Sequence, residues 1–212
     1  MNENRSSVFA TLKKLNIPIT ASILPDTPFA VEEANEVKNY GLEAMIHLPM
    51  EPKNSNHYHS NRLKVIGLHS KVDEVDQIIK RAKQIIPNAK GINNHEGSLI
   101  TSKREIMTEI LQLIKKEGLF FIDSRTASDT VAYDIAKQLN IKTAYRDVFL
   151  DSFTSYIHSM EQIERLIKIA KQKGKAIAIG HPFDSTIRAI KDSIEIIRRN
   201  QIKIVFVSQI VE

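Results

Sequence analysis

The sequence predicts an α/β fold in which a parallel β-sheet is packed against α-helices. Short apolar runs rich in β-branched residues alternate along the chain with longer segments of helical period, and this alternation is typical of parallel α/β sheets. The apolar runs are continuous, which favours strands that are buried on both faces. Seven such strands are compatible with an open doubly wound sheet or with an incomplete barrel, and periodicity alone does not distinguish these two architectures.

The predicted strands are short and apolar, and most of them are followed directly by polar residues. They are Ile17–Leu24, Ala44–Leu48, Gly91–Asn94, Leu119–Asp123, Lys142–Tyr145, Ala176–Gly180 and Lys203–Val207. The segment Pro52–Arg62 is polar and rich in Asn, Ser and His, so we predict a long loop between the second and third strands.

Helices are predicted between the strands wherever apolar residues recur on one face. Val72–Ile86 carries a single apolar stripe, which is typical of a helix packed on a sheet. The next helix is predicted to begin at Ser102, where Ser102 and Glu105 match a capping box, and to end at Gly118. The remaining predicted helices are Met1–Asn16, Met160–Gly174 and Ile187–Arg199.

The composition indicates one folded domain, residues 1–212, with a sizeable core. Hydrophobic residues make up 42% of the chain, which excludes general disorder. The net charge of +5 comes from basic residues interspersed with acidic ones, so we expect solvated helix faces rather than a nucleic-acid-binding patch. The absence of cysteine excludes disulfides and thiolate metal ligands.

Polar or titratable side chains follow nearly every predicted strand. In chain order they are His47 and Glu51, Asn93, Asn94 and His95, Asp123, Ser124 and Arg125, Arg146, Asp147 and Asp151, and His181. The carboxyl ends of parallel strands are where active sites of α/β folds are built. The sequence therefore predicts a functional site made of side chains from several strand ends.

Two of these strand ends suggest metal chemistry. His47 closes an apolar strand and Glu51 follows across a proline turn, and imidazole nitrogen with carboxylate oxygen is a normal ligand set for Zn²⁺. The alternative is a histidine that caps the strand and an exposed glutamate. After the next strand, His95 offers a further ligand or a proton carrier, whereas an Asx turn built on Asn93 and Asn94 is the structural alternative.

The later strand ends offer charged groups and one well-placed imidazole. Asp123 stands beside Arg125, which would keep the carboxylate ionised, although a structural ion pair or a helix cap explains the pair equally well. Asp147 and Asp151 are similar, and Asp151 is open to interpretation as a cap for the following helix. His181 ends an apolar strand directly before a proline, and we favour a general acid or base there over a core histidine.

These segments, taken together, resemble the divergent polysaccharide deacetylase family, a branch of the NodB-like carbohydrate esterase superfamily. The motifs His47–Pro52, Asn93–Ser98, Asp123–Thr126, Arg146–Asp151 and Ile179–Pro182 occur in the order and spacing of that family. The resemblance runs from about Ile17 to the C-terminus. It implies an irregular parallel β/α barrel of about seven strands that removes acetyl groups from a polysaccharide with metal-activated water.

The resemblance also implies roles for individual residues. His47 and Glu51, with His95, would hold a divalent metal, which we expect to be zinc. His181 would protonate the leaving group, with Asp123 supporting it. Asn94, Arg125 and Asp147 would bind the substrate, a carbohydrate polymer or oligosaccharide. Glu96 stands where the family usually has methionine.

One departure concerns the family's first strand, which ends in Asp-Asp-x-Gly and supplies a catalytic base and a metal ligand. The chain contains no Asp-Asp pair, so we expect this domain to be N-terminally truncated relative to the family and its deacetylase activity to be impaired. The alternative is a non-catalytic descendant that binds a glycan or a protein. No signal peptide or membrane-spanning run is recognised, so we expect a soluble chain, whereas the family resemblance suggests the cell envelope or periplasm.

Overall fold

The computed structural model describes residues 6–54 and 63–212, and these residues have the α/β fold that the sequence predicts. The chain divides into two compact units. The larger unit comprises Thr20–Tyr145 with Val211–Glu212, and the smaller unit comprises Met1–Ile19 with Arg146–Ile210. The single-domain assignment of the sequence analysis stays a prediction.

Helices and strands alternate through the described residues. The α-helices are α1 Ser6–Lys14, α2 Ala30–Asn39, α3 Val72–Ile85, α4 Arg104–Lys116, α5 Ala132–Gln138, α6 Tyr156–Lys173 and α7 Asp184–Arg199. The strands are β1 Thr20–Ile23, β2 Glu43–Met50, β3 Ala89–Glu96, β4 Phe120–Asp123, β5 Thr143–Tyr145, β6 Val148–Phe149 and β7 Ala178–Ile179. Strands β1 to β5 belong to the larger unit.

The sheet of the larger unit contains five strands in the order β1-β2-β3-β4-β5. All four pairs of neighbouring strands are parallel, which requires a crossover connection between the two strands of each pair. Helices α2, α3, α4 and α5 lie in these four connections, one in each. Because successive strands are spatial neighbours, their carboxyl ends lie side by side along one edge of the sheet.

The core of the larger unit consists of the apolar runs that marked the strands in the sequence. Ile46 and Leu48 of β2, Ile92 of β3 and Phe121 of β4 are all fully buried or nearly so. Burying a side chain of this size stabilises the folded state by about 1.5–3 kcal/mol. Gly91 of β3 allows close packing in this core, because a Cβ atom there would lie 2.3 Å from the ring of Phe120.

The smaller unit has its own sheet and core. Strands β6 and β7 pair in parallel, and α6 packs beside α7. Val148 and Leu150 form a buried apolar cluster with Ile163 and Ile167 of α6 and with Ala189 of α7. At the surface the two helices are also joined by a hydrogen bond from the Tyr156 hydroxyl to Asp192, which raises the pKa of Tyr156 above its ordinary value.

Most predicted elements are confirmed. The errors concern one predicted strand, one strand that was missed and the start of one helix. The predicted strand Lys203–Val207 is wrong, because residues 203–206 carry no strand assignment. The short strand β6, which the sequence analysis did not identify, pairs with β7 instead. The predicted capping box is also wrong: the Ser102 hydroxyl donates to Leu99 O at 2.8 Å, and α4 begins two residues later at Arg104.

Two glycines end helices as predicted, and one predicted loop is partly described. Gly118 and Gly174 follow α4 and α6 with φ of +72° and +80°, the left-handed conformation in which glycine meets no Cβ penalty. Residues 55–62 of the predicted loop Pro52–Arg62, which include His57 and His59, lie outside the described residues. None of the helices that the structure describes combines the length and apolarity that crossing a bilayer requires.

The packing at Gly91 gives a stability prediction. Gly91→Ala places a methyl group against the Phe120 ring, and overpacking of this kind costs about 1–3 kcal/mol. Urea unfolding should show this loss in the free energy of unfolding. Phe120→Leu in the Gly91→Ala background should recover part of it by removing the ring edge. A Gly91→Ala chain with unchanged stability would contradict the packing described here.

Candidate functional site

Two histidines and an asparagine meet at the carboxyl ends of β2 and β3 in the larger unit. His47 and Asn93 are register partners on neighbouring strands, and His95 lies two residues further along β3, on the same face of the sheet. His47 Nδ1 is 3.0 Å from Asn93 Oδ1, and His47 Nε2 is 3.0 Å from His95 Nδ1. The structure therefore brings together two of the three residues predicted to hold a metal.

The hydrogen bonds of Asn93 determine which nitrogen of His47 carries the proton. Asn93 is buried, and its Nδ2 donates to the Ser124 hydroxyl at 3.0 Å. Its Oδ1 faces His47 Nδ1, so in this arrangement Nδ1 of that ring is the donor and Nε2 keeps its lone pair. A ligating histidine whose other nitrogen donates to an oxygen acceptor is the usual arrangement around protein-bound metals.

Glu51, the third predicted ligand, is directed at the backbone of Leu68. Its Oε2 accepts the N–H of Leu68 at 2.8 Å, and a Cβ atom at Gly67 would lie 2.9 Å from the same oxygen. Across residues 6–54 and 63–212, no three His, Asp or Glu side chains are grouped so that they could hold a metal ion.

The donor set of the His47–His95 pair nevertheless fits a divalent ion. Two nitrogens bound to one tetrahedral zinc at about 2.0–2.1 Å lie roughly 3.3 Å apart, so the Nε2–Nδ1 distance would increase by a few tenths of an ångström and the rings would turn until both lone pairs point at the ion. His95 would have to carry its proton on Nε2 so that Nδ1 presents a lone pair.

Asn94 holds the backbone at the ends of β3 and β4. The residue is fully buried, its Oδ1 accepts the N–H of Ser124 at 2.8 Å, and its Nδ2 donates to Glu96 O at 2.7 Å. Thr126 donates to the same carbonyl at 2.7 Å. These hydrogen bonds hold the ends of β3 and β4 together. Asn94 is also a predicted substrate-binding residue, and these hydrogen bonds of its side chain are made within the protein.

Asp123 organises the loop that follows β4. The residue is fully buried, and its carboxylate accepts hydrogen bonds from the N–H of Arg125 at 2.8 Å, the Thr130 hydroxyl at 2.9 Å and the N–H of Tyr133 at 3.3 Å. Three donors offset the cost of burying this charge. These contacts agree with the alternative given in the sequence analysis, in which Asp123 has a local structural role.

Arg125 is held in an uncommon conformation. Its φ is +48°, a region that few non-glycine residues occupy and that is often found at functional sites. The guanidinium carbon lies 3.4 Å from the centroid of the Tyr145 ring, and Tyr133 packs edge-on against Tyr145 with centroids 4.8 Å apart. The side chain is exposed but stacked in a defined position.

In the smaller unit, His181 is oriented by a buried carboxylate. Asp151 Oδ1 lies 3.1 Å from His181 Nδ1, the Asp151 side chain is 0% exposed and the His181 side chain is 56% exposed. Asp151 Oδ2 accepts the backbone N–H of His181 and the Thr186 hydroxyl, the latter at 3.0 Å. The bond to Nδ1 directs Nε2 away from Asp151, which is the arrangement of histidines that transfer protons.

The sequence analysis did not identify Asp151 as the partner of His181. It paired His181 with Asp123 and interpreted Asp151 as a helix cap, whereas Ser155 caps α6 by accepting the N–H of His158. Asp151 stands two residues after strand β6, and Asp123 is the last residue of β4, so an aspartate near a strand end was the signal that could have suggested this partner. Asp147, predicted to bind substrate, is engaged by Lys173 Nζ at 2.8 Å and by the N–H of Ile177 at 2.9 Å.

Imidazoles and carboxylates at the strand ends of a parallel α/β fold are typical of hydrolytic enzymes, and comparison with known proteins identifies the family. The model of the family "Divergent polysaccharide deacetylase" matches residues 4–211. The chain belongs to the divergent polysaccharide deacetylase family.

Two curated relatives match most of the chain. The uncharacterized protein YibQ of Escherichia coli (strain K12) is 36% identical over 176 residues, which cover 83% of this chain and 54% of YibQ. An uncharacterized protein of Haemophilus influenzae (strain ATCC 51907 / DSM 11121 / KW20 / Rd) is 32% identical over 188 residues, which cover 88% of this chain and 64% of that protein. The chain therefore spans only part of each relative.

A solved structure shares the fold. The crystal structure of the uncharacterized protein ATU2773 from Agrobacterium tumefaciens C58 superimposes with a TM-score of 0.80, covering 92% of this chain and 88% of that chain at 20% sequence identity. At this level of identity the likeness establishes the fold alone.

The role of Asn93 gives a prediction that needs no ligand. Asn93→Leu keeps the volume but leaves the Ser124 hydroxyl and the His47 Nδ1–H without their partner, which should cost about 1–3 kcal/mol of stability. Long-range ¹H–¹⁵N spectra of the imidazole rings should show His47 losing its preference for a proton on Nδ1. Ser124→Ala is the control, because it keeps the Asn93–His47 contact. An unchanged His47 tautomer in Asn93→Leu would contradict the assignment.

Proposed function

We propose that the chain is the catalytic module of a metal-dependent hydrolase that removes acetyl groups from a polysaccharide. The observation that carries the proposal is the contact of His47 with His95, with Asn93 as the outer partner of His47. Membership of the divergent polysaccharide deacetylase family supports the reaction class. Membership of the divergent polysaccharide deacetylase family does not depend on this proposal.

In the proposed mechanism His47 and His95 hold the metal, which we propose to be zinc. When bound, such an ion polarises an acetyl carbonyl and lowers the pKa of water. Asn93 keeps the proton of His47 on Nδ1 and so keeps Nε2 available as a ligand. Glu51 would join as a ligand only if its carboxylate left the N–H of Leu68.

His181 is the proposed general acid. Hydrolysis joins the oxygen of water to the acetyl carbon, with release of one proton from that water, and breaks the bond from that carbon to the sugar nitrogen or oxygen, which must then accept a proton. A protonated His181 carries that proton on Nε2, while Asp151 holds the ring through Nδ1 and is a positioning residue. Fixed placement of this kind is what general acid catalysis requires.

The remaining predicted residues have supporting roles in this proposal. Asp123 and Asn94 fix the loop that carries Arg125, because their buried side chains bond to its backbone. Arg125 is the proposed substrate contact of the larger unit, since its guanidinium is exposed and stacked on Tyr145. We assign Asp147 a structural role, because Lys173 and the N–H of Ile177 engage both carboxylate oxygens.

A second candidate function is glycan binding without catalysis. It is favoured by the position of Glu51, whose carboxylate accepts the N–H of Leu68. In this case oligosaccharide would bind equally well with and without a divalent ion.

Metal binding separates the two candidates. Titration of the metal-free chain with Zn²⁺ should give one site per chain, and His47→Ala or His95→Ala should weaken it at least about 100-fold through loss of a direct ligand. Asn93→Ala should weaken it about 10- to 100-fold, as loss of an outer-shell partner does. His158→Ala is the control, because His158 contacts Ser152 in the smaller unit. Zinc affinity unchanged in His47→Ala would reject the proposed site.

Acetate release from N-acetylated chitooligosaccharides tests the proposed acid. His181→Ala should lower the rate about 10²- to 10⁴-fold, the usual contribution of a general acid, and Asp151→Asn should lower kcat with less effect on KM. Thermal unfolding of both variants controls for loss of structure. Acetate release that proceeds equally fast in His181→Ala, or in the presence of a chelator, would contradict the mechanism.

A further inference from the structure

The His181 ring of the smaller unit contacts two phenylalanine rings. Phe149 packs edge-on against His181 with centroids 5.6 Å apart, and Phe183 lies on the imidazole at 5.5 Å with 43° between the ring planes. Arg146 continues the series, because its guanidinium carbon lies 5.0 Å from the centroid of Phe149. The imidazole that the buried Asp151 carboxylate orients is therefore in contact with two phenyl rings.

Phe183 exposes apolar surface beside this imidazole. It is 42% exposed, and its ring centroid lies 5.5 Å from that of His181. Phe149, the second ring in contact with His181, is half-buried. An exposed aromatic ring that packs on an oriented imidazole can offer its free face to a ligand.

We propose that Phe149 and Phe183 form an aromatic platform on which a sugar ring of the substrate stacks beside His181. The inference rests on the carbohydrate substrate of the proposed function and identifies where the sugar lies. The apolar C–H face of a pyranose presents weakly positive hydrogens, and the face of a phenyl ring is the negative part of its quadrupole. A sugar can therefore stack on a phenyl face while its hydroxyl groups stay hydrated.

The chemistry around the platform favours a sugar over a lipid or a protein core. Polar side chains accompany the two rings: the exposed His181 contacts both of them, and the guanidinium carbon of Arg146 lies 5.0 Å from the centroid of Phe149. A lipid surface or a hydrophobic protein interface requires continuous apolar area, whereas a sugar has apolar faces and a rim of hydroxyls. A group that transfers a proton must also lie within hydrogen-bond reach of its substrate, which places the substrate against these rings.

The chain contains no tryptophan, so a single introduced tryptophan reports on the platform. Phe183→Trp keeps an aromatic face beside His181, and its emission should change saturably when a short N-acetylated chitooligosaccharide is added. Ile196→Trp is the matched control, because Ile196 lies on α7 in the same unit and is 41% exposed, against 42% for Phe183. Its emission should not change.

Calorimetry of tryptophan-free chains gives the energetic test. Phe183→Ala should weaken oligosaccharide binding about 3- to 10-fold, as loss of one ring contact predicts, and Ile196→Ala should not weaken it. Equal emission changes in the two tryptophan variants, no change in Phe183→Trp, or no binding by the parent chain would overturn the platform. So would an emission change produced by lipid vesicles or by protein concentration alone, since the occupant would then be a membrane or a second copy.

Failure of the platform and failure of the proposed function give different results. Sugar binding that is sensitive to Phe183, combined with no release of acetate when zinc is supplied, supports the platform and rejects the deacetylase. Acetate release by the parent chain, with equal kcat/KM in Phe183→Ala, supports the deacetylase and rejects the platform.

Discussion

The register between β2 and β3 is the constraint on which the candidate site of the larger unit depends. It sets His47 opposite Asn93, so that one 3.0 Å hydrogen bond fixes the tautomer of His47 and directs its other nitrogen toward His95. A shift of one residue would move His47 to the opposite face of the sheet, because side chains alternate along a strand. The fully buried Ile46, Leu48 and Ile92 specify this register, so the core that stabilises the unit also positions its imidazoles.

A second recurring feature is a buried aspartate at the end of a strand or just after it. Asp123 and Asp151 both lie in the core, and each accepts three hydrogen bonds from the segments that it organises. Asp123 organises the loop that displays Arg125, and Asp151 orients the imidazole of His181. Burying an ionised group without such donors would be strongly unfavourable, so each aspartate specifies one local conformation.

The sequence predicted the fold class and six strands because continuous apolar runs and helical stripes are local signals. It failed at Lys203–Val207 and at β6, since a short strand exists only where another strand pairs with it, and pairing is decided by distant residues. The sequence also placed polar side chains at strand ends correctly but could not choose their partners. The contact of His181 with Asp151 depends on the pairing of β6 with β7, and the enclosure of Asn94 depends on the loop after β4.

We propose that His47 and His95 bind one divalent ion. A crystal structure of the 212-residue chain grown with Zn²⁺, with data collected on both sides of the zinc absorption edge, shows whether they do. We expect an anomalous peak within about 2.0–2.1 Å of both His47 Nε2 and His95 Nδ1, with Asn93 still bonded to His47 Nδ1. A zinc ion bound elsewhere, with the two imidazoles still in direct contact, would reject the proposed site.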